Sequence, residues 1–320
     1  VTALRLGTRG SPLALWQANT VAARLQALGH HVDIVRIRTA GDRLQEAPLS
    51  EVGGKRLFVK EIEDALLRRE IDVAVHSAKD MSAALPAGLD IAAVLPREDP
   101  RDALVLPDGA AARDIDAVLA HLGASPRIGT SSVRRSAQLA ALLPGATFSA
   151  VRGNVDTRLR KLDTGGFDAI VLACAGMRRL GFEARISTAI PVSRCIPAPG
   201  QGIVAVEIRS DDATARAAVD RLNDQPAALA LRAERTVVSA LGGGCQLPLG
   251  VLASFDGSDV ALRAIVTSLD GSRVVRRETR GPAADPEALG ARLAEELSRA
   301  GAQEILDDVR RTQGPVEGSY

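Results

Sequence analysis

The chain has 320 residues, with 46% hydrophobic and 25% charged side chains, which is room for two or three soluble domains with their own cores. Lys and Arg number 40 against 39 Asp and Glu, so a net charge of +1 offers no general basic field for nucleic acid or a membrane surface. Aromatics make up 2%, too few for the stacking platforms of single-strand nucleic-acid binders, and no stretch approaches the roughly 20 apolar residues of a membrane span.

The first ninety-odd residues alternate strand and helix. "ALRLGT" reads as a strand, and "SPLALWQANTVAARLQAL" as a helix with Ser11 as N-cap and Pro12 in its first turn. "HVDIVRIRT" is the next strand, "RLFVKEIEDALLRR" an amphipathic helix, and "IDVAVH" and "LDIAAVL" two further strands. The aperiodic "AGDRLQEAPLSEVGGKR" between them has the length of a lid or mobile loop, centred on 43–56.

At "LPREDPRD" (95–102) prolines and charges interrupt the pattern, and a second βα series follows from "RIGT" to "FDAIVLACAG". A second break, "IPAPGQG" (196–202), leads into the strand-like "IVAVEIR". This predicts two α/β domains, 1–97 with 196–212 and 98–195, the chain crossing over and then returning. Ligands of open α/β sheets bind beyond the carboxyl ends of the strands, so two such domains facing each other make a cleft. From 213 to 320 the pattern becomes α+β. A helix, "PAALALRAERTVVSAL", precedes three strand-like runs with "DG" turns at 256–257 and 270–271, then one final helix from about 285 and a disordered tail, "TQGPVEGSY".

The helix dipole favours acids at the amino end of a helix and bases at the carboxyl end. Several junctions here do the reverse. Arg134 and Arg135 follow "GTSS", Arg9 precedes Ser11, Arg152 precedes Asn154 with Arg158 one turn further on, and Lys79 follows Ser77. A single inverted cation is an ordinary solvated side chain. Four strand–turn–helix junctions with free N–H groups, a capping hydroxyl or amide and a cation point to a small polycarboxylate or polyphosphate.

Within this ring Asp80 reads either as a salt-bridge partner of Lys79 or as a carboxylate that stabilises a cation formed during reaction. His76 reads as a hydrogen-bonded strand residue and Cys174 as core, while Cys195 has no supporting context. Cys245, behind three glycines in "GGGCQLPLG" (242–250), is either a small buried residue or a sulfur that a ligand must reach. The cysteine spacing argues against a disulfide framework or a metal site. With Arg5 and Arg9 where a signal peptide needs its apolar run, the expected compartment is the cytoplasm.

Seven segments carry a resemblance over essentially the whole chain: "GTRGSPLALWQ", "GGKRLFVKEIEDALL", "AVHSAKD", "IGTSSVRRSAQL", "RGNVDTRLRKLD", "IPAPGQG" and "GGGCQLPLG". In this order and at these separations they resemble the porphobilinogen deaminase (hydroxymethylbilane synthase) family. The resemblance implies two halves like a type II periplasmic binding protein plus a small third domain. It implies a transferase that joins four porphobilinogen molecules head to tail, releasing ammonia and the linear tetrapyrrole hydroxymethylbilane. Growth occurs on one dipyrromethane cofactor attached through a thioether, at the position that is Cys245 here.

Matched motif by motif, Ser11, Lys79, Asp80, Ser132, Arg134 and Arg135 are the implied cofactor-binding residues. Arg9, Gln17, Lys55, Arg152, Arg158 and Arg179 are the implied substrate-binding residues, and Asp80 is the catalytic carboxylate. The family usually has proline two residues beyond the "KD" pair, where Ser82 stands here. A monomer without nucleic-acid, membrane or metal partners is expected. The rival reading is a non-catalytic small-polyanion-binding protein on the same two-domain fold, which needs neither Asp80 nor a reactive Cys245.

Overall fold

A computed structural model describes residues 3–39, 59–108, 114–244 and 246–313. The expected lid at 43–56, Lys55 and Cys245 lie outside the described residues.

Three strands, β1 (Leu4–Thr8), β2 (Val32–Arg36) and β3 (Val73–Ser77), run parallel at the start of the first sheet. Between β1 and β2 lies α1 (Pro12–Ala27), capped by Ser11, whose hydroxyl accepts from the Ala14 N–H at 3.3 Å. Its buried stripe, Ala18, Val21, Ala22 and Leu25, follows the helical period onto one face of the sheet. The helix α2 (Lys60–Leu67) covers the other face through Ile62, Ala65 and Leu66. At the edge runs β4 (Leu89–Val94), and β10 (Val204–Arg209) inserts antiparallel between β3 and β4, giving the order β2-β1-β3-β10-β4.

The second sheet repeats that plan. In it β6 (Arg127–Gly129) pairs in parallel with β7 (Thr147–Ser149) and β8 (Ala169–Ala173). The inserted antiparallel strand is β5 (Asp102–Val105), between β8 and β9 (Thr188–Ala189), so the order is β7-β6-β8-β5-β9. Each sheet therefore receives one antiparallel strand immediately after a crossover from the other. Two sheets of this order, each with helices on its faces, form two α/β units of the same plan. The helices of the second layer are α3 (Ile115–Leu122), α4 (Val133–Ala140), α5 (Val155–Asp163) and α6 (Cys174–Arg179).

After α7 (Ala213–Val219), α8 (Gln225–Ala240) serves two cores at once. Its Ala227 and Leu231 pack with Ala205 of the first sheet and with Ala78 and Ile203 beside it, while Ala233 and Val237 join the third core. That core fills one side of the antiparallel meander β11 (Leu249–Asp256), β12 (Asp259–Thr267) and β13 (Val274–Pro282). The single final helix expected from sequence is instead two, α9 (Pro286–Arg299) and α10 (Ala302–Gln313). Gly301 breaks them apart at φ +91°, a left-handed conformation that glycine adopts without a Cβ penalty. Helix α10 also takes in Thr312 and Gln313, the first two residues of the expected disordered tail; residues 314–320 lie outside the described residues.

The β12–β13 turn presses on α4. Gly271 sits at φ +73°, and a Cβ there would lie 2.6 Å from the Ala137 carbonyl. Gly271→Ala is therefore expected to destabilise the protein by roughly 1–3 kcal/mol, read as an earlier urea midpoint. A midpoint equal to the parent's would mean that this turn does not hold the helix. Among the described residues no helix is long and apolar enough to cross a membrane.

Candidate functional site

The expected ligand-binding groups come from turns beyond the strand ends. Thr8 at the end of β1 leads to Arg9 and Ser11, and Ser77 at the end of β3 leads to the short 3-10 turn Ala78–Asp80. In the second sheet Gly129 of β6 leads to Ser132 and α4, Ser149 of β7 to Arg152 and α5, and Ala173 of β8 to α6. Gln17 is buried and its amide donates to Ser77 Oγ at 2.9 Å, so it braces the turn that carries Lys79 and Asp80. Ser132 caps α4 by accepting from the Arg135 N–H.

Lys79 has Asp80, Arg135, Asp102 and Arg134 as electrostatic neighbours. Burial lowers its ammonium to about 8 against the help of Asp80 and Asp102, while Arg135 and Arg134 add smaller lowering contributions. Arg158 senses Arg135, Asp80 and Arg152; burial first, then its arginine neighbours, lowers it to about 10. Its Nε donates to the Gly153 carbonyl at 2.8 Å, which aligns the side chain with the start of α5. Lys79, Arg134, Arg135 and Arg158 thus share one electrostatic neighbourhood with Asp80 and Asp102.

Arg134 is 4% exposed, with NH1 2.7 Å and NH2 3.2 Å from the two oxygens of Asp102. Arg135 reaches the same carboxylate through Nε at 2.9 Å and gives NH1 to the Val171 carbonyl. Asp102 is fully buried. Burial alone would raise its pKa, but the charges of Arg134 and Arg135 and the donor bonds hold it well below the usual carboxylate range. Asp102 was missed in the sequence, where its one signal was a charge heading the apolar strand "DALV".

Arg179, at the end of α6, crosses to the first sheet's side. It donates to the Gly202 carbonyl at 2.7 Å and lies 5.5 Å from the centroid of the Trp16 ring on α1. Gly202 ends the "IPAPGQG" segment, which touches all three layers. The Ile196 carbonyl accepts from Arg134 and Gln138, the Pro197 carbonyl accepts from Val251 N–H, and Gly200 N–H donates to Glu234 at 2.6 Å. Glu234 of α8 also accepts from Arg97 at 2.5 Å and from Ala253 N–H at 2.8 Å. These junction residues were not legible in sequence, because each partner lies in a different segment.

The chain on both sides of Cys245 is tied down. Gly243 N–H donates to the Val238 carbonyl at 2.7 Å, Leu247 N–H donates to the Gly244 carbonyl at 3.0 Å, and Arg310 donates to the carbonyls of Leu241 and Gly242. The three glycines have different reasons. Gly242 has φ +62°, a Cβ on Gly243 would crowd Val238 and Leu249 at 3.1–3.2 Å, and only Gly244 has open space where a side chain would go.

Cys174 and Cys195 are free, buried thiols, and burial pushes both up to about 12, so neither is a thiolate at neutral pH. Cys195 does have a setting that sequence did not suggest, with its Sγ 3.6 Å from Asp102 Oδ2 and from Arg134. His76 is buried 3.1 Å from Glu207 Oε2 across the β3–β10 pair, a strand residue with an interior partner. No group of three or more metal-ligating side chains gathers among the described residues.

A family model described as porphobilinogen deaminase, dipyromethane cofactor binding domain, matches residues 4–240. A second, described as porphobilinogen deaminase, C-terminal domain, matches residues 228–299. Similar solved structures include the Bordetella pertussis BvgS periplasmic domain, at 16% identity and TM-score 0.38, over 69% of this chain and 39% of that one. They also include the ancestral cationic amino acid solute binding protein AncCDT-1, at 14% identity and TM-score 0.40, over 69% of this chain and 87% of that one. A putative periplasmic sulfonate-binding protein, SsuA from Methylobacillus flagellatus KT, matches at 14% identity and TM-score 0.38, over 73% and 67%.

Proposed function

Because the chain belongs to the porphobilinogen deaminase family, we propose that Cys245 carries its dipyrromethane through a thioether and that Asp80 is its catalytic carboxylate. The protein is a transferase of tetrapyrrole biosynthesis, a hydroxymethylbilane synthase that acts on porphobilinogen with a dipyrromethane cofactor. The observation that carries the site reading is the gathering of Lys79, Arg134, Arg135 and Arg158 around Asp80 and Asp102. Such an excess of cations calls for an anionic ligand, and each pyrrole of this chemistry brings an acetate and a propionate. The residues fit the cofactor in a second respect: Arg134 Nε is buried and has no acceptor among the described residues.

When bound, the dipyrromethane supplies the pyrrole carbon at which the new carbon–carbon bond forms. The chain's own residues do the rest. Arg9, Gln17, Lys55, Arg152, Arg158 and Arg179 seat the carboxylates of porphobilinogen, while Ser11, Lys79, Ser132, Arg134 and Arg135 seat those of the cofactor. Loss of ammonia from porphobilinogen leaves an azafulvenium cation, and the Asp80 carboxylate stabilises it electrostatically and orients the pyrrole N–H. Support for Cys245 is that the other two thiols are buried and protonated, while the glycine beside it, Gly244, faces open space.

The three sheets support a division into 1–97 with 196–212, 98–195 and 213–320. Buried free thiols support a reducing cytoplasmic setting, and exposed large apolar side chains scattered over separate elements support a monomer. A polyanion-binding protein without chemistry would leave Asp80 unexplained amid the cations.

Lys79 provides a direct test of carboxylate binding. With its ammonium brought to about 8, it is cationic below that pH and neutral above it. Lys79 belongs to the cofactor set, so kcat per loaded molecule is expected to fall as pH passes 8, because a counter-charge to the cofactor disappears. Lys79→Arg, charged at every accessible pH, should flatten that fall. The same fall in the arginine variant would remove Lys79 from the binding set.

A further inference from the structure

We infer that Asp102 is a positioning residue for this reaction, holding Arg134 and Arg135 in the one orientation that presents them to the carboxylates of the cofactor. The inference rests on the reading that these arginines bind those carboxylates. Asp102 opens β5 at the end of the 95–101 crossover, and the arginines open α4, more than thirty residues away in sequence. Its two oxygens receive Arg134 NH1 and NH2, Arg135 Nε and NH2, and Gln201 Nε2 at 2.9 Å. One carboxylate therefore sets both guanidinium planes.

The arrangement has a consequence for ligand binding. Arg134 spends its fork on Asp102 and the Ile196 carbonyl, and Arg135 spends Nε and NH1 on Asp102 and the Val171 carbonyl. A ligand carboxylate must use the N–H groups that remain, which include the buried Arg134 Nε. Two guanidiniums on one carboxylate also leave one positive charge in excess among buried side chains. That is enough to attract an anion, while the shared counter-ion prevents the arginines from collapsing apart or following the ligand.

The same carboxylate reaches the return crossover. Gln201 donates to Asp102 and to the Pro100 carbonyl at 2.7 Å, and the Ile196 carbonyl binds Arg134. Both connections between the two α/β sheets thus meet at Asp102. A cofactor seated on Arg134 and Arg135 is thereby held in a fixed relation to Lys79 and Asp80 on the first sheet. Asp102 acts through the arginines, so its loss should displace the growing end rather than weaken the capture of each new porphobilinogen.

The test is Asp102→Asn in the full-length protein, with intact mass, melting temperature and steady-state kinetics compared with the parent. The isosteric amide removes the charge and directs N–H groups at the guanidiniums. The fraction of molecules carrying the dipyrromethane mass should fall. Among loaded molecules kcat should drop roughly ten- to a hundredfold with KM within about threefold, the loss expected for one charge-assisted bonding set. Parent-like loading and kcat would overturn the inference, as would a raised KM at unchanged kcat.

If Asp102→Asn does not fold, Gln201→Ala removes one neutral donor from the same carboxylate. It should show the same split at about two- to tenfold, and parent-like values there would overturn the inference equally. Cys245→Ala serves as the control for the underlying reading. If that variant keeps the mass increment, the cofactor assignment itself fails. If it loses the increment while Asp102→Asn behaves like the parent, only the role of Asp102 fails.

Discussion

Asp80→Asn is expected to keep its dipyrromethane and lose nearly all turnover. Asparagine has the size of aspartate and can still accept through its amide oxygen, so the 3-10 turn Ala78–Asp80 and the Gln17–Ser77 brace beneath it should persist. What disappears is the negative charge beside Lys79 and Arg158. In the parent that charge offsets two cations at rest and faces a third, the azafulvenium, once ammonia has left. Without it the developing cation meets a site of greater net positive charge.

Removing a preorganised group of this kind costs about a hundred- to a thousandfold in rate. Asp80→Glu keeps the charge but moves it by one methylene, and should recover only part of the activity. The measurement is kcat per loaded molecule, with loading taken from intact mass. Turnover of Asp80→Asn within a few-fold of the parent would make this carboxylate structural.

Cys245→Ala should abolish both the mass increment and activity. The parent's intact mass should exceed that of its polypeptide by one dipyrrole unit, and Cys174→Ala and Cys195→Ala should retain the increment. Their thiols are buried and held protonated near 12, so neither offers the nucleophilic sulfur that thioether formation requires. Cys195→Ala also serves as a sensitive control. It removes an Sγ 3.6 Å from Asp102 and Arg134, and a modest fall in melting temperature with full loading would separate packing from cofactor attachment. A bare polypeptide mass in fully active enzyme would end the Cys245 assignment.

Much of the architecture is written locally. Ser11 before Pro12, Ser132 before the arginines and glycine where φ turns positive are choices satisfied within three or four residues, so a reader of the sequence can find them. The inverted cations were legible for the same reason, since an arginine or lysine at the start of a helix can be seen without knowing where that helix packs. The ordered motifs carried the family, and with it the roles proposed for Cys245 and Asp80.

Where local rules were incomplete, the reading slipped locally as well. The periodic pattern after 285 did not register Gly301 as a break, although its positive φ divides α9 from α10.

What only the tertiary structure decided is which charge meets which. Arg134 and Arg135 were legible as cations, but not as a pair turned onto Asp102. Nor could sequence show that Gln201 and Ile196 of a distant break would complete that cluster. Lys79 at about 8 is a fact of burial among four particular neighbours, three of them from the other sheet. The physical reason is one of range. Caps, turns and periodicity are settled by neighbours along the chain, whereas a buried ion must find its counter-ion wherever the packing of apolar faces brings one. Here two crossovers and two repeats of one sheet order bring segments as far as 99 residues away in sequence to a single carboxylate.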